Sequence, residues 1–189
     1  MRVIAGALKG RRLSSPSWPG LRPTSDKLRE TLFNILAPRV AGARVLDGYA
    51  GTGALGIEAR SRGAASVMFV DDDRRAQALI EQNLARCGIA NGCVIIRASV
   101  ARALERWREA EGRFDIVLLD PPYNTPIDNV LVATADALAA GGIVVLEHAT
   151  RRPSPSRAGS LVRTREVAAG DSALSFYEKL KTENLKLKT

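Results

Sequence analysis

Two clusters of residues have the types and spacing to do chemistry. The first is Asp47-Gly48-Tyr49-Ala50-Gly51-Thr52-Gly53-Ala54-Leu55-Gly56. Glycines let a backbone turn sharply and approach a ligand closely, and a following helix presents free N–H groups. Gly51, Gly53 and Gly56 satisfy G-x-G-x-x-G, and Asp71 stands 20 residues after Gly51, where an acid that holds a ribose belongs. A dinucleotide site is therefore one reading of this loop. Asp47 supports another, because it lies four residues before the first glycine of that pattern. A carboxylate there suits a ligand with an ammonium or sulfonium group and repels a pyrophosphate.

The second cluster is Asp120-Pro121-Pro122-Tyr123, which closes the apolar run FDIVLLD. The two prolines fix φ and remove two donors, so the chain leaves the run as a rigid, extended segment with its carbonyls available. Asp120 adds a side-chain acceptor and Tyr123 a flat face. Acceptors beside an aromatic platform form a receptor for a planar amine, such as a nucleobase amino group.

Positioning these clusters falls to a repeating rhythm. Short apolar runs occur at 44–47, 67–71, 94–98, 115–120 and 143–147, separated by helical spacing over about 54–62, 74–87, 100–109 and 127–139. Strands alternating with helices predict βαβ units around a parallel sheet buried on both faces. Both clusters then fall at the carboxyl ends of strands, around one crevice. Segments 161–168 and 173–180 alternate and predict a closing antiparallel hairpin. Residues 2–13 read as a short two-stranded hairpin before a Pro- and Gly-broken loop. Thr24, Ser25 or Asp26 caps a helix that runs to about Ala37, where Pro38 ends it. The segment 151–157, with Arg151, Arg152 and Arg157, reads as a mobile basic loop.

The chain has 189 residues and a net charge of +8, unevenly spread: residues 1–44 carry +7, 45–150 carry −4 and 151–189 carry +5. An acidic body between basic arms suits a polyanionic partner, and a nucleic acid is the first candidate. No apolar run approaches the roughly 20 residues of a spanning helix, and the N-terminus lacks a secretory apolar stretch. Two cysteines, Cys87 and Cys93, are too few for a disulfide framework or a structural zinc site. The expectation is a cytoplasmic protein with no metal and no membrane contact. His148 is the only histidine; it reads as following the fifth strand, away from the crevice's acids. Trp107 reads as core, whereas Trp18 either packs on the body or stacks on a base.

The DxYAGTGALG loop, Asp71 and DPPY together resemble the class I S-adenosylmethionine-dependent methyltransferases that act on exocyclic nitrogens. RVIAGALKGRRL and LRPTSDKLRETLFNIL (residues 21–36) narrow the likeness to the RsmD family, which methylates guanine N2 of 16S ribosomal RNA; it covers residues 2–180. The resemblance implies a Rossmann-like α/β fold with a mostly parallel seven-stranded sheet, a C-terminal antiparallel hairpin and a small N-terminal hairpin and helix. Residues 1–40 would be the basic extension, 41–181 the methyltransferase domain and 182–189 a polar tail. S-adenosylmethionine would be the cofactor and S-adenosylhomocysteine the product. Asp47, Gly51 and Gly53 would line the methionine end, with Gly48, Tyr49, Ala50 and Thr52 also binding the cofactor; Asp71 would accept from both ribose hydroxyls, and Asp72 would lie near the adenosine. Many relatives place an acidic or amide residue after the third strand; this chain has Ser99, with its own and Val100's backbone N–H on offer. Asp120, Pro121, Pro122 and Tyr123 would hold the target base. Lys9, Arg11, Arg12, Arg22, Thr24, Lys27 and Arg29 would meet RNA, with Arg22, Thr24 and Arg29 alternatively closing over the site. The implied partner is 16S ribosomal RNA in an assembled or assembling small subunit. DPPY is also shared with adenine-N6 enzymes, an oxidoreductase accounts for GTGALG alone, and an inactive RNA-binding assembly factor is the remaining alternative.

Overall fold

The computed structural model describes residues 1–16, 25–109, 113–122 and 125–180. Tyr123, Trp18, Arg22, Thr24 and the tail 182–189 lie outside the described residues. In chain order the elements are α1 (Asp26–Val40), β1 (Arg44–Gly48), α2 (Ala54–Ser61), β2 (Ser66–Asp71), α3 (Arg74–Cys87), β3 (Cys93–Arg97) and α4 (Val100–Glu109). They continue with β4 (Phe114–Leu119), α5 (Asp128–Ala137), β5 (Leu138–Ala149), β6 (Arg157–Ala158), β7 (Leu161–Ala169) and β8 (Ser172–Lys179). One sheet runs β3-β2-β1-β4-β5-β8-β7-β6. The first five are mutually parallel, while β8, β7 and β6 are antiparallel to their neighbours.

Alternation along the strands feeds two cores. Val45, Phe69, Ile116, Leu118 and Val145 pack with α1, α2 and α3. Leu46, Val70, Val117, Leu119 and Leu146 pack on the other face with α4 and α5. Strand order reverses between β1 and β4, so the crevice opens beyond their carboxyl ends. There β1 and β4 are in register to Gly48↔Leu119 and β4 and β5 to Leu119↔Leu146.

Several expectations need correction. The N-terminal hairpin does form, but it is brief and pinned to α2: Val3 N donates to Arg11 O and Gly10 N to Val3 O, both at 2.9 Å, and Leu13 N to Met1 O at 3.1 Å, around the bridge Arg2↔Arg12, while the donors between turn to α2. Ile4 N and Ala5 N donate to the Glu58 carboxylate at 2.7 and 3.0 Å, and Leu8 N donates to Ser61 Oγ at 2.9 Å. Of the three candidate caps it is Ser25 that accepts from Leu28 N, at 3.2 Å. Pro38 does not end α1: it forfeits one backbone bond in the last turn, and the buried Val40 anchors that turn to the core. The helix before β5 stops at Ala137 rather than 139, since Leu138 already pairs with Phe114. A two-residue β6 adds an eighth strand. β3 is an edge, not a strand buried on both faces, and leaves Val94 52% exposed. The 151–157 segment is tied down rather than loose: Tyr177 Oη donates to Pro155 O at 2.9 Å and Ser154 is buried.

Candidate active site

β1 ends in a carboxylate that the fold has taken out of water. Asp47 is 1% exposed and accepts from Gly56 N, in the first turn of α2, at 2.8 Å. Its burial outweighs that hydrogen bond, and with the nearby Asp71 charge it pushes the Asp47 pKa up to about 8. The loop then turns on residues in the left-handed region: Tyr49 (φ 63°), Gly51 (54°) and Gly53 (75°). Gly53 N donates to Ala50 O at 2.7 Å. Gly56 is required for a different reason, because a Cβ there would run into the Phe69 ring. The third glycine of the pattern is thus a packing residue that brings α2 down onto β2.

Asp71, at the end of β2, braces this loop. One carboxylate oxygen accepts from Gly51 N at 2.8 Å and the other from Asp73 N at 3.0 Å. Each oxygen keeps a further lone pair for a diol, and burial raises the Asp71 pKa. Asp72 is exposed beside Tyr49, while Asp73 caps α3 by accepting from Arg75 N. Ser99 is exposed, and Val100 is buried against the Gly48 backbone. Asp47 through Gly53 therefore form the end of β1 and the loop into α2, and Asp71 at the end of β2 closes on that loop.

Asp120 follows one step past the Gly48↔Leu119 pair, and its N–H reaches Gly48 O at 3.4 Å. The DPP segment and the glycine loop are thus adjacent, as the spacing predicts. Thr125 N donates to Pro122 O at 2.8 Å and closes the turn. Beyond Pro121 and Pro122 lies a cavity of about 230 Å³, also walled by Pro126, Pro153 and Pro155, with Ile127, Leu146 and His148. Five of the nine prolines of the chain meet there, so its walls have few backbone freedoms. His148 lies within β5 on this cavity, not beyond the strand. Its Nε2 is 2.9 Å from Ser175 Oγ and its Nδ1 2.9 Å from Arg152 O.

Two residues near the site escaped the sequence reading. Asn83 is fully buried in α3 and its Nδ2 donates to Thr52 O, in the glycine loop, at 2.9 Å. A lone amide inside the apolar stripe Leu79, Ile80, Leu84 and Cys87 was the available signal. Glu147 is a buried carboxylate on β5, one step past Leu146, as Asp120 is one step past Leu119. Its signal was an acid closing the run IVVLE.

The proposed RNA contacts separate. Lys9, Arg11, Arg12 and Lys27 are exposed. The arm's tip lies against the carboxyl ends of α2 and α3: Ala7 N donates to Ser61 O at 2.8 Å, and the Arg11 charge acts on the Cys87 thiol. Arg29 is not a surface cation. It is 0% exposed, and its Nη2 donates to Arg2 O at 2.8 Å and Asp26 Oδ1 at 2.7 Å. Lys27 and Glu30 flank it on the water-facing side of α1, which turns position 29 inward. Arg29→Ala is expected to lower Tm by roughly 5–10 °C through the cavity it leaves and to leave the salt dependence of RNA binding unchanged. A shallower salt slope would return Arg29 to the RNA surface.

Comparison with known proteins finds relatives that match nearly the whole chain. The family model described as "Conserved hypothetical protein 95" matches residues 1–178. YlbH of Bacillus subtilis (strain 168) is 37% identical over 182 residues, covering 95% of this chain and 99% of that one. Ribosomal RNA small subunit methyltransferase D of Escherichia coli (strain K12) is 34% identical over 185 residues, covering 95% and 90%. The solved structure of yhhF from Escherichia coli superimposes with a TM-score of 0.82 at 33% identity, covering 95% of this chain and 97% of that one. With its glycine loop and DPP segment meeting on a sheet of this topology, the chain belongs to the Conserved hypothetical protein 95 family, that of ribosomal RNA small subunit methyltransferase D, built on the class I S-adenosylmethionine-dependent methyltransferase fold.

Proposed function

We propose that this chain transfers the methyl group of S-adenosylmethionine to the exocyclic N2 of a guanine in 16S ribosomal RNA, within an assembled or assembling small subunit in the cytoplasm. The observation that carries this reading is the adjacency of Asp120 to the Gly48 end of the glycine loop.

The cofactor suits the residues that would hold it. Asp47 offers a buried carboxylate to an ammonium or sulfonium group, Asp71 keeps acceptor capacity for ribose hydroxyls, and the left-handed loop leaves no Cβ at Gly51 or Gly53. When bound, S-adenosylmethionine supplies a methyl already activated for displacement.

The chain's own part is positioning. A guanine amine is a weak nucleophile because its lone pair is delocalised into the ring. In this reading the Asp120 carboxylate and the Pro121 carbonyl accept its two hydrogens and aim the lone pair along the line of transfer. Tyr123 stacks on the base once it has left its helix, and the proline-walled cavity receives a flat group with no loss of loop freedom. Lys9, Arg11, Arg12 and Lys27 supply affinity through phosphates without reading sequence. No step uses a metal.

The test is transfer of labelled methyl to small subunits lacking their modifications, followed by nucleoside analysis. Label is expected in N2-methylguanosine. Label in N6-methyladenosine would overturn the choice of base, and stabilisation by NAD but not by S-adenosylmethionine would overturn the cofactor.

A further inference from the structure

The basic arm and the glycine loop are far apart in sequence, and one buried side chain joins them. Asn83 Oδ1 accepts from Ser14 N at 2.7 Å, and its Nδ2 donates to Ser14 O at 3.2 Å and to Thr52 O at 2.9 Å. The amide is fully buried, so neither the arm nor the loop can let go of it without leaving a polar group dry. The rest of the arm is fastened to the same pair of helices. Glu58 holds Ile4 and Ala5, Ser61 holds Leu8, and Val3 and Leu13 enter the core beneath. Gly6 allows the closest approach: its φ is +82°, and a Cβ there would run into the Ser61 carbonyl.

We propose that Asn83 is a positioning residue that makes cofactor affinity depend on the docked state of the N-terminal arm. Thr52 lies between the two glycines that turn the loop, so its carbonyl sets the plane of the peptide that carries the Gly53 N–H. With the arm docked, both groups of Ser14 hold the Asn83 amide at one rotation, and its Nδ2 is delivered to Thr52 O. With the arm lifted, the amide loses two of its three partners and its orientation is no longer set. The coupling is reciprocal: any polyanion that fastens the arm tightens the cofactor, and the cofactor tightens the arm by the same factor.

The inference rests on the proposed cofactor, and the experiment separates the two. Cofactor Kd is measured calorimetrically with S-adenosylhomocysteine on wild type, Gly6→Ala, Asn83→Leu, Asn83→Asp and the Gly6→Ala/Asn83→Leu double variant, well below each Tm. Gly6→Ala disturbs the arm without touching Asn83 or Thr52, and is expected to weaken binding about tenfold. Asn83→Asp keeps the acceptor for Ser14 N but cannot donate to Thr52 O, and is expected to match Asn83→Leu, also about tenfold weaker. Because both sites act through one amide, the double variant should be no weaker than Asn83→Leu alone. Multiplied effects in the double variant, or wild-type affinity in folded Gly6→Ala or Asn83→Asp, would overturn the proposal while leaving the cofactor assignment intact. A wild-type chain that binds no S-adenosylhomocysteine would overturn both.

Discussion

Asp120→Ala is expected to reduce kcat about a thousandfold while cofactor affinity changes less than threefold. The split follows from where Asp120 stands. It is one residue beyond the last β1–β4 pair, past the loop proposed to grip the cofactor, for which Asp47 and Asp71 would supply the carboxylates. Removing an acceptor that orients the amine sacrifices alignment in the transition state and little else. Asp120→Asn distinguishes orientation from proton removal. An amide oxygen still accepts a hydrogen bond, so orientation predicts recovery of at least tenfold over alanine, whereas a base requirement predicts none. Single-turnover transfer with saturating cofactor is the measurement. Near-normal turnover in Asp120→Ala would remove Asp120 from the reaction.

Cofactor affinity should rise with pH and level off above about 8. Burial makes the Asp47 carboxyl hold its proton until about that pH in the cofactor-free protein. A positively charged ligand needs the ionised form, so binding below this point must release a proton. Affinity then falls about tenfold per pH unit, roughly a hundredfold weaker at pH 6 than on the plateau. Stability runs the other way. The folded value lies above the ordinary 3.8, so the cofactor-free fold binds this proton more tightly than the unfolded chain does. That contribution is whole below about 4 and is lost as pH rises through about 8. The increase in Tm on adding cofactor should therefore grow from pH 5 to about pH 8 and then level off. Asp71, also raised by burial, acts in the same direction. Asp47→Asn isolates the first group: its affinity should be lower on the plateau and nearly flat between pH 6 and 9. A pH-independent wild type would show that Asp47 is not the ligand's counter-charge.

The parallel sheet was legible because its strands are buried on both faces, and nearly continuous apolar runs such as VMFVD and IVVLE have no other comfortable home. The two site motifs were legible because each sits where a run stops. What escaped the sequence reading were interactions made between segments. Arg29 resembles any other cation in a basic stretch, and its burial is dictated by which side of α1 meets the core. The N-terminal alternation predicts the short hairpin that forms, but not that Glu58 and Ser61, far along the chain, accept from Ile4, Ala5 and Leu8 and so fasten it to α2. Asn83 has no motif at all. Its meaning depends on Ser14 and Thr52 reaching the same point from opposite directions.

The position of β8 has a consequence for how the molecule is made. It is the last strand in sequence, yet it lies between β5 and β7 and pairs with β5 from Ser172↔Ala149 to Glu178↔Ile143. As the nascent chain emerges, β5 can join β4 early, but its outer edge stays bare until residues 172–179 have been synthesised. That edge carries Ile143, Val144, Val145 and Leu146, all buried in the finished sheet, and an open apolar strand edge is a template for pairing with another chain. A polypeptide stopped at residue 171 is therefore expected to aggregate, which sedimentation of that shortened chain beside the full one would check.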